Sequence, residues 1–230
     1  MKIYDLIQQY SNLCSKIYVH PFNQALYNGA LAKPVFRLFL EQDLLYLRDF
    51  DRALKLVEQR LDKEMHAPHF RSFSENTILF EREIQLKYLK ELPDASFFNE
   101  NRRAVQKIPI ISQYTEHLLD SASKASIAEA VVSLVPCFWV YKELGEQMNK
   151  ASSNPDHPYR EWISSYSDEQ FKASTTTIIS IADELIKDIE CSHQQKKIEE
   201  SFMKSLDCEY RFFDEILFPE KSPNESLTYF

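Results

Sequence analysis

The sequence contains very little glycine: two residues, Gly29 and Gly145, among 230. Average usage of about 7% would give roughly 16. Rossmann and P-loop nucleotide-binding sites need several closely spaced glycines, and β-sandwiches and barrels need many tight turns. The scarcity of glycine therefore excludes the two nucleotide-binding folds, disfavours the all-β folds and favours an all-α protein.

Basic segments and long apolar runs are also missing. The formal net charge is −8, and lysine and arginine are spread along the chain, so no nucleic-acid partner is expected. The longest apolar stretch, residues 130–141, is shorter than the roughly 20 residues that a bilayer span needs. Asp5 lies where a secretory signal would be apolar. We therefore expect a cytoplasmic protein without a membrane partner.

The sequence offers little for a metal. The six histidines are scattered, and a ferritin-like di-metal bundle would need Glu-x-x-His on two helices. One match exists, ending at His193, and the close pair His66 and His69 flanks Pro68 in a predicted loop. The cysteines form no CxxC pair, so each is interpreted as core filler or a reactive thiol before a disulfide partner. No metal and no cofactor are expected.

Apolar residues recur at intervals of three and four almost throughout, which predicts helices. Capping boxes at Ser72–Glu75 and Ser167–Gln170 are expected to open two of them. We expect one all-α domain over residues 1–218 and a polar, flexible tail over 219–230. The predicted helices cover 2–18, 22–30, 34–61, 74–91, 101–120, 124–149, 167–189 and 194–217.

The first candidate site lies in the predicted helix over 34–61. Asp43, Tyr46 and Phe50 are spaced i, i+3 and i+7, so they share one helix face. A carboxylate among aromatic rings suits a heterocycle that carries an amino group and a ring nitrogen. The alternative is an ordinary amphipathic helix with Asp43 exposed to solvent.

The second candidate surrounds a proline inside a helical pattern. Pro136 removes one backbone hydrogen bond and is expected to kink the helix. Cys137 follows directly and Tyr141 lies one turn on, so the thiol could face a cavity and act as a nucleophile. The alternative is a buried, inert cysteine, which is the commoner fate of free thiols.

The third candidate is Glu209, one turn before Phe212 and Phe213. Contact with aromatic rings would desolvate the carboxylate, raise its pKa and suit it to acid/base work. The alternative is an exposed ion pair, and Cys208 beside it is interpreted as packing. Tyr114 and Tyr166 are further candidates, since buried phenols that face a pocket supply hydrogen bonds.

Taken together, these segments resemble the TenA family, the thiaminase II proteins with a haem-oxygenase-like helical fold. The resemblance runs from about Pro21 to Ile216 and rests on five blocks in the right order. The blocks are Pro21-Phe22…Gly29…Phe36…Phe39-Leu-Glu-Gln-Asp43-Leu-Leu-Tyr46-Leu, Tyr114-Thr-Glu-His-Leu-Leu, Leu134-Val-Pro-Cys137-Phe-Trp-Val-Tyr141-Lys-Glu-Leu-Gly145, Trp162-Ile-Ser-Ser-Tyr166…Phe171 and Glu209-Tyr-Arg-Phe212-Phe213-Asp214.

The resemblance implies a site for 4-amino-2-methylpyrimidine between helices. Asp43 would hold the amino group and ring nitrogen, Cys137 would be the nucleophile and Glu209 the acid/base. It further implies a homotetrameric hydrolase of thiamine salvage that cleaves the C–N bond at the pyrimidine methylene and needs no metal or organic cofactor. Aminomethylpyrimidine is the expected substrate and thiamine a further candidate. The residues expected around the ring are Tyr46, Tyr114, Tyr141, Tyr166 and Phe212.

Three residues depart from the family pattern. Leu44 replaces a usual tyrosine, Gln85 stands where histidine is common, and Phe213 stands where tryptophan is common. They concern pocket shape and substrate preference. Two alternatives stay open: a metal-dependent oxidase on the same fold, and a non-catalytic pyrimidine-binding or regulatory protein.

Overall fold

The computed structural model describes residues 1–77, 82–91 and 106–219, with the backbone alone at 82–85 and 150–152. Within these ranges every regular element is a helix, as the sequence predicts. The helices are α1 Ile3–Gln9, α2 Ser11–Tyr18, α3 Pro21–Tyr27, α4 Lys33–Glu58, α5 Ala67–Asn76, α6 Arg82–Glu91, α7 Pro109–Lys124, α8 Ile127–Ser152, α9 Arg160–Tyr166, α10 Glu169–Ile186 and α11 Ser192–Leu217.

Two long helices organise the packing. α8 contacts α7, α9, α10 and α11, and α4 contacts α5, α6 and α7. Their apolar faces enclose one continuous cluster of buried side chains, rich in phenylalanine. The burial of this surface is the main favourable contribution to folding. Helices from distant parts of the chain therefore meet along α8.

Polar side chains tie α7 to α4 near the first candidate site. The Gln42 side chain accepts from the backbone N–H of Ile108 at 2.9 Å and donates to the Gln106 carbonyl at 3.0 Å. Lys107 forms an ion pair with Asp49, about two turns after Gln42 on α4. These contacts hold the start of α7 against α4, close to Asp43. Tyr114 lies on α7, so its position depends on them.

Several predicted boundaries are wrong for identifiable reasons. The chain divides at Tyr10, so residues 2–18 form two helices. Pro68 lies in the first turn of α5, where the missing proline N–H costs nothing, so this helix starts well before the capping box predicted at Ser72. α9 lies between the predicted helices over 124–149 and 167–189, where no helix was predicted.

The α10 cap is one residue later than predicted. The side chain of Asp168, not that of Ser167, accepts from the Gln170 backbone N–H at 2.8 Å. α7 begins at Pro109 rather than at 101, although residues 101–105 lie outside the described part of the chain. The 1–218 domain boundary stays a prediction, and the predicted tail falls almost entirely on residues 220–230, which are not described.

Candidate active site

The predicted residues converge on one cavity in the helical bundle. It is lined by residues of α4, α8, α9 and α10 and by Thr77. Asp43, Cys137 and three of the predicted tyrosines lie on its wall. The full lining is Asp43, Tyr46, Leu47, Phe50, Thr77, Cys137, Phe138, Tyr141, Tyr166 and Phe171.

The three residues predicted to share one face of α4 do share it. Asp43, Tyr46 and Phe50 all line the cavity, and the Tyr46 and Phe50 rings stack with centroids 5.5 Å apart. Asp43 is 3% exposed, so the alternative of a solvent-exposed carboxylate is wrong.

Cys137 is the half-buried cysteine of the site. α8 runs through Pro136 without ending, and the next residue presents its thiol to the cavity. The contrast with Cys208 is clear: that thiol is 3% exposed and burial raises its pKa to about 12, as expected for a packing residue. Cys208 is therefore a core residue, whereas Cys137 packs against the core and also lines the cavity.

Glu209 lies behind the cavity wall with a defined hydrogen-bond partner. The Tyr114 hydroxyl donates to its Oε1 at 2.8 Å, and the carboxyl group is 1% exposed, so the alternative of a surface ion pair is wrong. Burial raises the pKa of Glu209 to about 8; the Tyr114 hydrogen bond lowers it, and the nearby Asp43 carboxylate raises it. At neutral pH the carboxyl group is therefore protonated in most molecules.

Three tyrosines connect the thiol with the carboxyl group. Tyr46, Tyr114 and Tyr141 each interact electrostatically with both Cys137 and Glu209, and burial raises the pKa of all three. The Tyr46 hydroxyl is buried and interacts with the Cys137 thiol and the Tyr114 hydroxyl. It lies between groups that can each exchange a proton with a bound molecule.

Aromatic rings close the other side of the cavity. The Tyr141 and Tyr166 rings lie 4.9 Å apart, and Trp162 packs against Tyr166 at 4.8 Å. Phe212 does not line the cavity; it stacks on Phe39 at 5.1 Å, within the aromatic core behind the wall. Flat rings on a narrow cavity match a flat heteroaromatic ligand.

The close approach of α8 to the end of α9 depends on Gly145. A Cβ atom at this position would lie 2.5 Å from the backbone carbonyl carbon of Tyr166. Gly145 is one turn after Tyr141, so its lack of a side chain brings Tyr166 against Tyr141. A glycine thus determines the width of the cavity on this side.

A second cavity adjoins the first. The two share Thr77, Phe138, Tyr166 and Phe171. We call this second cavity the outer cavity and the first the inner cavity. The outer cavity is also lined by five polar side chains, so its wall is partly polar and partly apolar. These are Asn76, Ser165, Asp168, Gln170 and Ser174.

The sequence did not point to four residues of the inner wall. Leu47 and Phe138 follow from their neighbours, since Leu47 lies one turn after Asp43 and Phe138 follows Cys137. Phe171 belongs to a block of the resemblance without an assigned role, and nothing in the pattern marks Thr77. The three residues that depart from the family pattern differ in their surroundings. Leu44 is partly buried, and Phe213 lies in the core with its ring 6.2 Å from that of Tyr141. The Gln85 side chain lies outside the described residues.

The described part of the chain contains neither a cluster of metal ligands nor a helix that could span a membrane. Within residues 1–77, 82–91 and 106–219, no three His, Cys, Asp or Glu side chains are grouped so as to hold a metal ion. In the same ranges no helix is long and apolar enough to cross a bilayer.

A family model decides the relationship. Residues 7–217 match the model of the TENA/THI-4/PQQC family. The chain belongs to this family. Its all-α architecture is the haem-oxygenase-like fold that the resemblance implies, and the match covers all five sequence blocks.

Individual relatives agree with the family match. The chain is 29% identical over 198 residues to the aminopyrimidine aminohydrolase of Halalkalibacterium halodurans, covering 86% of this chain and 87% of that protein. It is 29% identical to the Bacillus subtilis protein of the same name, covering 85% and 81%. A solved TenA homologue from P. horikoshii superimposes with a TM-score of 0.80 at 24% identity, covering 94% and 98%, which shows the shared fold.

Proposed function

We propose that this protein is an aminopyrimidine aminohydrolase of thiamine salvage. It hydrolyses the C–N bond at the methylene of 4-amino-2-methylpyrimidine compounds and releases hydroxymethylpyrimidine. The observation that carries the proposal is a half-buried thiol, Cys137, on the same cavity wall as the Asp43 carboxylate, with the buried Glu209 hydrogen-bonded to Tyr114 behind that wall. The two relatives with the name aminopyrimidine aminohydrolase support it.

Asp43 is the residue that holds the pyrimidine. Its carboxylate can accept a hydrogen bond from the exocyclic amino group and share a proton with the adjacent ring nitrogen. The ring then lies among Tyr46, Tyr141 and Tyr166. The carboxylate is 3% exposed, so a hydrogen bond to the amidine-like edge of the pyrimidine is stronger here than it would be in water.

Cys137 supplies covalent catalysis. Water displaces an amine from an unactivated methylene carbon slowly. When the thiolate adds to the pyrimidine ring, an S–C bond forms and the ring loses its aromaticity, and the electron pair then expels the amine from the methylene. Water adds at the methylene carbon, the S–C bond breaks, and the thiolate returns. One difficult substitution is thereby divided into easier steps.

Glu209 supplies the proton that the departing amine needs. A carboxyl group with a pKa of about 8 carries a proton at neutral pH and can donate it, directly or through a tyrosine hydroxyl. The carboxylate that remains can take a proton from the attacking water. The overall balance is one water consumed, with hydroxymethylpyrimidine and one amine released.

The outer cavity bears on the range of substrates. It adjoins the inner cavity through Thr77 and Phe171, so a leaving group larger than ammonia would extend from the inner cavity into it. A substituted amine or the thiazolium of thiamine would need such space. We therefore expect aminomethylpyrimidine as the main substrate and thiamine as a second one.

The test is a turnover assay on the purified protein. It is incubated separately with 4-amino-5-aminomethyl-2-methylpyrimidine and with thiamine, and hydroxymethylpyrimidine is followed by chromatography. The proposal predicts hydroxymethylpyrimidine and one equivalent of ammonia from the first substrate. Binding of the pyrimidine without any product from either substrate would contradict it and support the non-catalytic alternative.

Two further measurements address the rest of the proposal. Metal analysis of the active protein is expected to find no stoichiometric metal, and activity that depends on a bound metal would support the oxidase alternative instead. We also propose a homotetramer in the cytoplasm. Light scattering after size-exclusion chromatography measures the tetramer, and a mass of about 27.1 kDa, that of one chain, would contradict it.

A further inference from the structure

The two helices that carry Cys137 and Glu209 meet in a regular register. On α8 and α11, residues at four-residue intervals face each other, and each facing pair is separated by the same distance in sequence. The Ser201 hydroxyl donates to the Glu129 carbonyl at 3.4 Å, and one turn further the Ser205 hydroxyl donates to the Ser133 carbonyl at 2.7 Å. Cys137 and Glu209 are the next residues of this register on the two helices, and they are separated by the same 72 residues as the two bonded pairs.

The bond from Ser205 is the stronger of the two. Ser205 and Ser133 are both 0% exposed, and the bond is 0.7 Å shorter than that from Ser201. A short hydrogen bond in a dry interior is electrostatically stronger than one in contact with water. The bond also lies nearer to the cavity, one turn before each of the two reactive residues.

The bond anchors a turn of α8 that is short of internal hydrogen bonds. Pro136 has no N–H, so the carbonyl four residues earlier, that of Val132, cannot receive the usual helical bond. The Ser133 carbonyl is the next in the same turn. A donor from α11 therefore holds α8 at the point where its own ladder is interrupted, directly before Cys137.

We propose that Ser205 is a positioning residue for the reaction: through the Ser133 carbonyl it holds the turn that carries Cys137 at a fixed distance from the turn that carries Glu209. The inference rests on the roles proposed above for these two residues. The nucleophile and the proton donor act on opposite parts of one small ring system, so their separation must be maintained during the reaction. A displacement of about 1 Å can cost up to about 100-fold in rate.

The loss of this bond should affect chemistry more than binding. The predicted binding residues that line the cavity, Asp43, Tyr46, Tyr141 and Tyr166, belong to α4, α8 and α9, and no residue of α11 lines it. Ser205→Ala is therefore expected to lower kcat about tenfold and to leave the Kd for hydroxymethylpyrimidine within about twofold. Ser205→Cys fills nearly the same volume with a weaker donor and should lower kcat in the same direction.

The matched control is Ser201→Ala, which removes the parallel bond one turn farther from the cavity on the same two helices. It is expected to keep the wild-type kcat and Kd. Each variant is measured for kcat by product formation, for Kd by calorimetry with hydroxymethylpyrimidine, and for Tm. If Ser205→Ala does not fold, Ser205→Cys against Ser201→Ala makes the same comparison.

Two results overturn the inference in distinguishable ways. If the wild type is active and Cys137→Ala is inactive, but the Ser205 variants match Ser201→Ala in kcat, the positioning role alone is wrong. A parallel loss of kcat and binding affinity in the Ser205 variants also contradicts it, since that indicates a general structural role. An inactive wild type contradicts the proposed function and the inference together.

Discussion

The Tyr114 hydroxyl donates a 2.8 Å hydrogen bond to the Glu209 carboxyl group across 95 residues of sequence. Both side chains are almost completely buried, and the bond joins α7 to α11 directly behind the cavity wall. It gives a buried acid one fixed partner. The protonation of Glu209, and with it the pH dependence of the protein, should therefore respond to Tyr114.

Glu209→Gln tests the proton donor. The amide keeps the shape of the carboxyl group but cannot donate an acidic proton, so kcat for aminomethylpyrimidine is expected to fall by about 100-fold or more. Binding of hydroxymethylpyrimidine should change little. A Glu209→Gln variant with near wild-type kcat would remove Glu209 from the mechanism.

The same substitution should change how stability depends on pH. The folded-state pKa of Glu209, about 8, lies above the ordinary value of 4.5, so the folded protein holds a proton that the unfolded chain releases between these values. The stabilisation of the folded protein by Glu209 is fully present below about pH 4.5 and is lost as pH rises through 8. Denaturant titrations at pH 5 and pH 9 should show wild type losing a few kcal/mol more than Glu209→Gln.

Tyr114→Phe tests the hydrogen bond itself. The Tyr114 bond lowers the pKa of Glu209, so its removal should raise that pKa above about 8. The alkaline limb of the kcat profile, where Glu209 loses its proton, should move to higher pH. A limb that stays in place, or moves to lower pH, would show that this bond does not control the acid.

Asp43→Asn tests the binding residue. The loss of a charge-assisted hydrogen bond to the pyrimidine is expected to weaken the Kd for hydroxymethylpyrimidine by about tenfold or more. Asp51→Asn is the control, since Asp51 is a buried carboxylate on the same helix that bonds to Ser74 and Lys55 instead. The control should lose stability and keep its affinity. Equal affinities in both variants would exclude Asp43 from the site.

Gly145→Ala tests the width of the cavity. The added Cβ would meet the Tyr166 backbone at 2.5 Å, so stability should fall by about 1–3 kcal/mol and pyrimidine binding should weaken as Tyr166 moves. Gly29→Ala is the matched control. It lies at φ 68°, which costs an alanine roughly 1–2 kcal/mol, but its neighbours are His157 and Pro158. It should lose stability without losing affinity.

Much of the site could be predicted because its signals are local. Asp43 and Tyr46 lie one turn apart on one helix, and Pro136 marks the turn that carries Cys137. The fold class follows from the helical periodicity and the two glycines. These features need no knowledge of how distant helices meet.

The rest could not be predicted because it depends on packing between distant segments. The Ser205 bond to Ser133 spans 72 residues, and Gly145 acquires its role only when the end of α9 lies against α8. α5 was missed because Pro68 was interpreted as a breaker, whereas a proline in the first turn begins a helix. Phe212 was placed at the ring by resemblance, but its side chain stacks on Phe39.

The central claim is that the Cys137 thiolate carries out the reaction, and one measurement tests it most directly. Turnover of aminomethylpyrimidine is compared in wild type, Cys137→Ala and Cys191→Ala, with Kd for hydroxymethylpyrimidine measured in each. Cys191 is exposed at the start of α11, so its variant controls for the loss of a thiol. We predict no detectable product from Cys137→Ala with its affinity retained, and full activity in Cys191→Ala. Wild-type turnover by Cys137→Ala would contradict the account.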